Sequence, residues 1–251
     1  MPETALVREQ MRHSLVIARK DIRIYYSKGP VIIFGVLFPV FLFLSFTIGR
    51  DLSVDFMIPG LVGMILFFTA TSISPIVVPW EAQARTLERL MSCPVRIKTI
   101  IVGDILASFA FGVGISLVTI MLGLFLGVTI SSPFIFAIAV ILAAFCFASL
   151  GTVFSIPPTN LPATVNMIAA VVKFPVVFIS GVFIPLDQLP AWGQAVAYIS
   201  PLTYFTDIAR TSIQGQGHLP VVVDLLVLLA FTALFLVVAM KLHQRTMPRR
   251  I

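Results

Sequence analysis

The chain has 251 residues, of which 59% are apolar and 11% charged, whereas a soluble domain is roughly half apolar and a quarter charged. This composition, with a mean hydropathy of +1.05, excludes a water-soluble fold, because so few charges do not solvate a surface. The formal charge of +6 lies in short clusters between apolar runs, which excludes the continuous basic face of a nucleic-acid-binding protein. Cys93 and Cys146 have no metal-site or disulfide-framework spacing.

Residues 1–29 are mostly polar and predict a cytoplasmic amphipathic helix over 4–27. Its apolar stripe consists of Met11, Leu15, Ala18, Ile22 and Tyr25. A second stripe, about 100° away, consists of Arg8, Arg12, Arg19 and Arg23. We expect this interface helix to lie in the inner headgroup layer, with its guanidinium groups on lipid phosphates. Two interpretations remain open: a membrane anchor alone, or an anchor that also braces a cytoplasmic partner.

Six predominantly apolar runs are long enough to cross a membrane, which takes about 20 apolar residues in a helix. They lie at about 30–49, 56–80, 105–130, 134–156, 163–184 and 221–240. Serine and proline residues at 131–133 and 157–162 divide the long uncharged stretch between Asp104 and Lys173. The sequence therefore predicts an all-α integral membrane protein with one six-helix transmembrane domain over residues 30–251.

The uncharged segment 188–206 is predicted to be a re-entrant or interfacial hairpin between the fifth and sixth spans, because Pro190, Gly193 and Pro201 interrupt it. With six spans, both termini and the 81–104 loop share one side, which holds fourteen of the 17 Lys and Arg residues. The positive-inside rule makes that side cytoplasmic and places residues 186–218 outside. We expect a multi-pass protein of the inner, or cytoplasmic, membrane.

The loop at 81–94 predicts a short helix that ends at Pro94. Its spacing pairs Glu81 with Arg85 and Arg85 with Glu88. Three apolar residues, Leu87, Leu90 and Met91, form a knob on this predicted helix. An apolar knob ringed by charge is suited to docking in a partner's groove. The alternative is a solvated helix folded back on the membrane.

Lys173 falls near the middle of the fifth predicted span, where a cation costs at least a few kcal/mol unless it is paired or hydrated. It either lines a transport path, faces a partner subunit, or extends toward the cytoplasmic headgroups. Asp104 and Asp224 lie near span ends and are expected to be interfacial.

The 81–94 loop resembles the E-x-x-x-G-T-L-E-x-L-x-x-[ST]-P loop of ABC type-2 exporter permeases, through Glu81, Thr86-Leu87-Glu88, Leu90 and Pro94. Arg85 stands where that family usually has glycine. Further matches are Asp55-Phe56-x-x-Pro59-Gly60, Ser180-Gly181-Val-Phe183-x-Pro185, Leu189-Pro190-x-Trp192 and Ser200-Pro201-Leu202-Thr203-Tyr204, continuing through Arg210. Together these motifs cover nearly the whole chain in the family's order.

The resemblance implies a permease that pairs with itself or a homologue and couples to two cytoplasmic ATPase subunits. The coupling residues would be Glu81, Arg85, Thr86, Leu87, Glu88, Leu90, Met91 and Pro94. The outward hairpin signature would be Pro185, Pro190, Trp192, Pro201, Leu202 and Thr203, and the candidates for a translocation path or subunit interface are Lys173, Pro175, Ser180 and Gly181. The expected substrate is an amphipathic drug-like compound, lipid or lipid-linked glycan, exported from the cytoplasm.

The sequence has no G-x-x-x-x-G-K-[ST] motif with which to cradle ATP phosphates. We therefore expect a transport permease rather than an enzyme, with no cofactor or metal of its own and with ATP and Mg on the partner ATPase. The alternative is an ion-gradient-driven secondary carrier that uses Lys173, Asp104 and Asp224. The inverted repeats and interrupted acidic helices typical of such carriers are not evident in the sequence.

The predicted topology places residue 188 outside the cell and residue 244 in the cytoplasm. In a variant lacking Cys93 and Cys146, we expect an impermeant thiol reagent added to intact cells to label Gln188→Cys and to spare Gln244→Cys. Disrupted cells serve as the control, because both positions should then react. Labelling of Gln244→Cys in intact cells would indicate an odd number of spans.

Overall fold

The computed structural model describes residues 3–26, 28–49, 53–157, 159–215 and 217–247, and these residues form helices without a β-strand among them. The helices are α1 (Glu3–Tyr25), α2 (Gly29–Ile32), α3 (Phe38–Thr47), α4 (Val54–Ser72), α5 (Ser74–Gln83), α6 (Thr86–Ser92), α7 (Ile97–Phe125), α8 (Pro133–Phe154), α9 (Pro162–Ile179), α10 (Ala191–Ala197), α11 (Pro201–Gln214) and α12 (Val221–Thr246). The predicted all-α fold class is confirmed.

Five helical runs in the described residues are long and apolar enough to cross a membrane: α4 with α5 (Val54–Gln83), α7, α8, α9 and α12. The first predicted span, 30–49, contains α2, a π-helical turn over Ile33–Leu37 and α3, and its apolar stretch Gly35–Ser45 is shorter. Pro39 accounts for the π turn, because it has no N–H to donate to the carbonyl of Gly35. The count of six spans stays a prediction.

Several helix boundaries differ from the predicted spans, and two of these differences concern candidate residues. The third span was expected from 105, but α7 begins at Ile97, so that Asp104 lies inside the helix. The fifth was expected to reach 184, but α9 ends at Ile179 and Gly181 follows with a φ of +75°. A left-handed residue of this kind stops a helix and favours glycine. The carboxyl groups of Asp104 and Asp224 are both buried inside the protein.

α4 is the central helix of the fold, and α3, α7, α8 and α11 pack around it. Phe67 of α4 meets Phe147 of α8 edge to face, with ring centroids 5.1 Å apart. Two glycines bring the neighbouring helices close to the α4 backbone. A Cβ on Gly112 would lie 3.0 Å from the Cβ of Ala70, and one on Gly151 would lie 3.2 Å from the Ala70 carbonyl oxygen. Small residues therefore set the spacing of the bundle.

Residues 186–218 contain a short 3-10 turn, Leu186–Gln188, followed by α10 and α11. α11 is buried over most of its length between α4, α8 and α12. Its start is fixed by Ser200, whose hydroxyl oxygen accepts a hydrogen bond from the Leu202 N–H, and by Pro201 in the first turn. Gly215, with a φ of +72°, follows its end. The position of this segment relative to the membrane stays a prediction.

α1 packs along the first half of α7, so one face of this helix is buried against the protein. The hydroxyl of Ser14 donates to the Thr99 carbonyl over 3.0 Å. This packing corrects the predicted apolar stripe. Ala18 and Tyr25 face the protein and are buried, whereas Met11, Leu15 and Ile22 are exposed. The four arginines of the second stripe, Arg8, Arg12, Arg19 and Arg23, are also exposed.

The crossing of α1 and α7 depends on the absence of a side chain at Gly103. A Cβ there would lie 2.7 Å from the Ile17 side chain and 3.0 Å from the Ser14 carbonyl oxygen. We expect Gly103→Ala to lower the free energy of unfolding in detergent by about 1–3 kcal/mol, since overpacking displaces α1. Gly114→Ala is the control on the same helix, because its Cβ would meet nothing within 4 Å. Equal unfolding midpoints for the two variants would contradict this packing.

Candidate functional site

The segment predicted to dock a partner bends between two helices. α5 ends at Gln83, Arg85 has a left-handed φ of 54°, and α6 begins at Thr86. The predicted continuous helix is therefore wrong, and neither Glu81 with Arg85 nor Arg85 with Glu88 forms an ion pair. A left-handed residue is favourable for glycine and costs an L-residue about 1–2 kcal/mol, which accounts for the glycine of the resembled loop. Residues 84–86 are called the elbow below.

The predicted apolar knob faces inward. Leu87 is 1% exposed and packs with Ile17, Val78, Ile100 and Met247. Leu90 and Met91 are half-buried against the same cluster. The knob was expected to fill a partner's groove, but α1 and α7 already cover it. The predicted coupling residues of this segment that are exposed are instead Arg85, Thr86, Glu88 and Pro94, and the neighbouring Arg89 is exposed as well.

Four ionisable residues meet beneath the elbow, and we call them the Lys20 cluster: Lys20, Asp21, Glu81 and Asp104. The Lys20 ammonium forms ion pairs with Glu81 and, at 3.0 Å, with Asp21. Asp104 of α7 adjoins Asp21. Glu81, Asp21 and Asp104 are each at most 3% exposed. The cluster joins α1, α5 and α7, and Glu81 takes this cation in place of the predicted Arg85.

The charges of the Lys20 cluster depend on one another. Burial lowers the pKa of Lys20, but the attraction of Asp21 and Glu81 is stronger in sum and holds that pKa above its usual range. Burial raises the pKa of Asp21, and the nearby Lys20 ammonium opposes the rise. Next to the cluster, Tyr25 stacks on Trp80 with centroids 5.5 Å apart. Burial raises the pKa of Tyr25 to about 12. Lys20 is thus the cation that stabilises three buried carboxyl groups.

Lys173 lies inside the bundle and does not extend toward a headgroup layer. Its side chain is 4% exposed, and its ammonium donates to the Thr71 carbonyl over 2.7 Å. That carbonyl is four residues before Pro75, which has no N–H to donate to it. Lys173 therefore supplies the hydrogen bond that Pro75 removes, at the break between α4 and α5. Its neighbour Pro175 is exposed on α9.

A cavity of about 400 Å³ lies between α11, the start of α4 and the residues that follow α9. We call it the hairpin cavity. Its lining residues are Phe56, Ser180, Gly181, Pro185, Leu186, Asp187, Thr203, Thr206, Asp207, Arg210, Gln214, Gly217 and His218. The structure thus brings together Ser180, Gly181, Pro185 and Thr203 from the two predicted groups of signature residues. Leu202 is buried in the core, whereas Pro190 and Trp192 are exposed near α10.

Arg210 is buried at the wall of the hairpin cavity, although the sequence placed it in an outer loop. Its Nη2 donates to the Gly181 carbonyl over 2.6 Å, and its guanidinium lies 4.5 Å from the Phe56 ring centroid. Burial lowers the pKa of Arg210 to about 10, while Asp207 and Asp187 act in the opposite direction. The Asp207 carboxylate accepts hydrogen bonds from the N–H groups of His218 and Leu219. It therefore holds the loop between α11 and α12.

Sequence patterns did not identify Lys20, Asp21 or Asp207 as members of a site. An adjacent lysine and aspartate on an amphipathic helix are typical of a solvated face, so the sequence pattern did not indicate that Lys20 and Asp21 belong to a buried cluster. Asp207 and Arg210 are spaced by three residues on α11, which places them on one face of a helix. That spacing, within an otherwise uncharged segment, is the signal that would have found the hairpin cavity.

A protein-family model described as ABC-2 type transporter matches residues 12–213, which include the elbow and α11. The inner membrane transport permease YadH of Escherichia coli (strain K12) is 24% identical over 192 residues, covering 76% of this chain and 75% of YadH. The daunorubicin resistance ABC transporter permease protein DrrB1 of Streptomyces coeruleorubidus is 24% identical over 230 residues, covering 83% and 78%. Nodulation protein J of Rhizobium leguminosarum bv. viciae is 30% identical over 171 residues, covering 66% and 64%.

Removal of the Lys20 ammonium leaves three buried carboxyl groups without a cation. We expect Lys20→Met to lower the free energy of unfolding in detergent by about 3–5 kcal/mol at neutral pH. The loss should shrink as the pH falls, because the folded state then binds protons at Asp21, whose pKa is raised. Arg19→Met is the control, since Arg19 is exposed, and it should change stability by less than about 0.5 kcal/mol. Similar losses for both variants would contradict the role of the cluster.

Proposed function

The chain belongs to the ABC-2 type transporter family and is the membrane subunit of an ABC transporter, and on that premise we propose that it exports an amphipathic compound from the cytoplasm. The compound is drug-like, a lipid or a lipid-linked glycan. A separate subunit hydrolyses the ATP, with Mg bound there as well. The name of the relative DrrB1, which refers to daunorubicin resistance, supports the drug-like class.

The protein is a multi-pass inner membrane protein, as its relatives and its apolar helices indicate. Within that description, we propose six spans with both termini and the elbow in the cytoplasm. The segment 186–218 is the outward hairpin, and α1 is the interface helix, whose exposed arginines bind lipid phosphates. The distribution of Lys and Arg supports this orientation. The interface helix also braces the two helices that flank the elbow, since Ile17 packs with Leu87 of α6 and Lys20 pairs with Glu81 of α5.

Permeases of this family work with a cytoplasmic ABC ATPase, typically as dimers. We propose two ATPase copies and a second permease, either this chain or a homologue. The observation that carries the coupling role is the elbow itself. It places Glu88 and Arg89 of α6 on the surface, while Leu87 fixes the same helix to α1 and α7. A rigid, charged projection of this kind is suited to transmit movement of an ATPase to the spans.

The burial of Lys173, Asp104 and Asp224 is the feature that favours the alternative, an ion-gradient-driven carrier. Two contacts speak against it. Lys173 binds a backbone carbonyl that a proline has freed, and Asp104 lies in the Lys20 cluster. Both residues therefore have structural partners, which supports the ATP-driven mechanism over the gradient-driven one.

Charge reversal on α6 tests the coupling role. We expect the double variant Glu88→Lys, Arg89→Glu to retain the ATPase about tenfold less well on an affinity-tagged permease, because like charges then oppose each other across the interface. Both side chains are exposed, so the unfolding midpoint and the membrane abundance should not change. Leu87→Ala is a contrasting variant that should lower stability by about 2–5 kcal/mol, since Leu87 is buried.

Asp55→Lys is the matched control, a charge reversal at an exposed site at the opposite end of the α4–α5 run. It should leave ATPase retention unchanged. Full retention by the α6 double variant at normal abundance would contradict the coupling role and favour the gradient-driven carrier.

A further inference from the structure

The hairpin cavity contains charges of both signs that do not neutralise each other by contact. Asp187 and Asp207 are close enough to attract the Arg210 guanidinium electrostatically. Neither carboxylate, however, lies within 4.0 Å of the guanidinium, the distance limit for an ion pair. Opposite charges that share a cavity without touching are bridged either by water or by a ligand. The volume of about 400 Å³ is within the range of small-molecule sites.

Arg210 has donor capacity left for a ligand. It is 7% exposed, and its Nη2 is bound to the Gly181 carbonyl. Its Nε, which is also buried, has no hydrogen-bond partner among the described residues. A guanidinium presents donors in a planar fork that fits phosphate or carboxylate oxygens. A buried donor left without a partner is costly, so a ligand oxygen at this position would be stabilising.

The hydroxyl groups that line the cavity already donate hydrogen bonds within the protein. Thr203 donates to the Ala197 carbonyl and Thr206 to the Leu202 carbonyl. Ser180 shares a hydrogen bond with the Ser200 hydroxyl at 2.7 Å. Among the lining residues that the structure describes, Arg210 is the arginine or lysine side chain that remains as a donor for a ligand.

The two carboxylates of the cavity differ in the number of hydrogen bonds that they accept from the protein. Asp207 accepts hydrogen bonds at both oxygens from the loop N–H groups of His218 and Leu219. Asp187 is exposed, and no described residue donates a hydrogen bond to it. Asp187 is thus the carboxylate available to a cationic group. An anion alone would be repelled by the carboxylates, and a cation alone would be repelled by Arg210.

We propose that the hairpin cavity binds a zwitterionic headgroup, with a phosphate or carboxylate oxygen on Arg210 and an ammonium group at Asp187. This inference rests on the proposed export function and narrows its substrate class to amphipathic molecules whose polar end carries both charges. Phe56 covers one face of the guanidinium, so the acidic group approaches Arg210 from a direction that the Phe56 ring leaves open.

The test measures binding to the purified full-length permease in an uncharged detergent, without ATPase or ATP. The probes are dihexanoyl phosphatidylethanolamine, which is zwitterionic, dihexanoyl phosphatidylglycerol, which is anionic, and a dihexanoyl trimethylammonium lipid, which is cationic. We expect the zwitterionic lipid to bind about tenfold more tightly than either of the others. Glycerophosphoethanolamine, which has the same headgroup without acyl chains, should bind at least about tenfold more weakly than its lipid.

Asp187→Asn is the decisive variant, because an exposed side chain without a described hydrogen bond is not needed for folding. It should remove the preference for phosphatidylethanolamine over phosphatidylglycerol. Arg210→Gln should weaken binding of both phospholipids about tenfold, but it also releases the Gly181 carbonyl, so its unfolding midpoint is measured in parallel. Asp55→Asn is the matched control, an exposed carboxylate that does not line the cavity, and it should bind like the unaltered protein.

An unchanged lipid preference in Asp187→Asn would overturn the proposal, and so would equal affinities of the unaltered protein for the three lipids. Water alone would then bridge the charges. Equal binding of glycerophosphoethanolamine and its lipid would overturn the amphipathic part. Because these measurements need no ATPase, their failure is distinguishable from a failure of the α6 double variant to lose its partner.

Discussion

Every backbone carbonyl within a membrane-spanning helix needs a hydrogen-bond donor inside the protein, and prolines in this chain leave carbonyls without their usual donor. Pro75 frees the carbonyl of Thr71, and Lys173 of α9 supplies the donor. Pro59 likewise frees the carbonyl of Asp55, to which Gln214 of α11 donates over 3.1 Å. The central α4–α5 run is therefore linked to α9 and α11 by hydrogen bonds to the carbonyls that its prolines leave without a donor.

The same run carries residues of both candidate sites. Phe56, in the first turn of α4, lines the hairpin cavity, and Glu81, near the end of α5, belongs to the Lys20 cluster below the elbow. The helix between them is interrupted at Ile73, where α4 ends and α5 begins. Interruptions of this kind are where helices bend. A displacement of one site relative to the other would therefore be absorbed at Ile73, next to the contact between Lys173 and Thr71.

Patterns of apolar residues were enough to predict the fold class and, to within several residues, the five long runs that the structure contains. They could not predict contacts between distant parts of the chain. Leu87 was expected on the surface because its local spacing resembles a docking knob, yet its burial depends on Ile17, Ile100 and Met247. The pairing of Glu81 with Arg85 assumed a continuous helix, and the left-handed Arg85 removes that condition. The position of Arg210 in a cavity likewise depends on a contact between distant segments, because the residues after α9 pack against α11.

The burial of α4 also determines which helices meet the lipid. The apolar windows of α7, α9 and α12 are mostly unburied within the chain, whereas that of the α4–α5 run is 94% buried. α7 has 29 residues, so it is about 43 Å long, against about 30 Å for the hydrocarbon core of a bilayer. A helix of that length must tilt or extend beyond the lipid tails. Membrane thickness therefore acts on the outer helices. Because α1 packs on α7, a tilt of α7 also bears on the orientation of the elbow. The central α4–α5 run, by contrast, is shielded by the other helices over most of its apolar window.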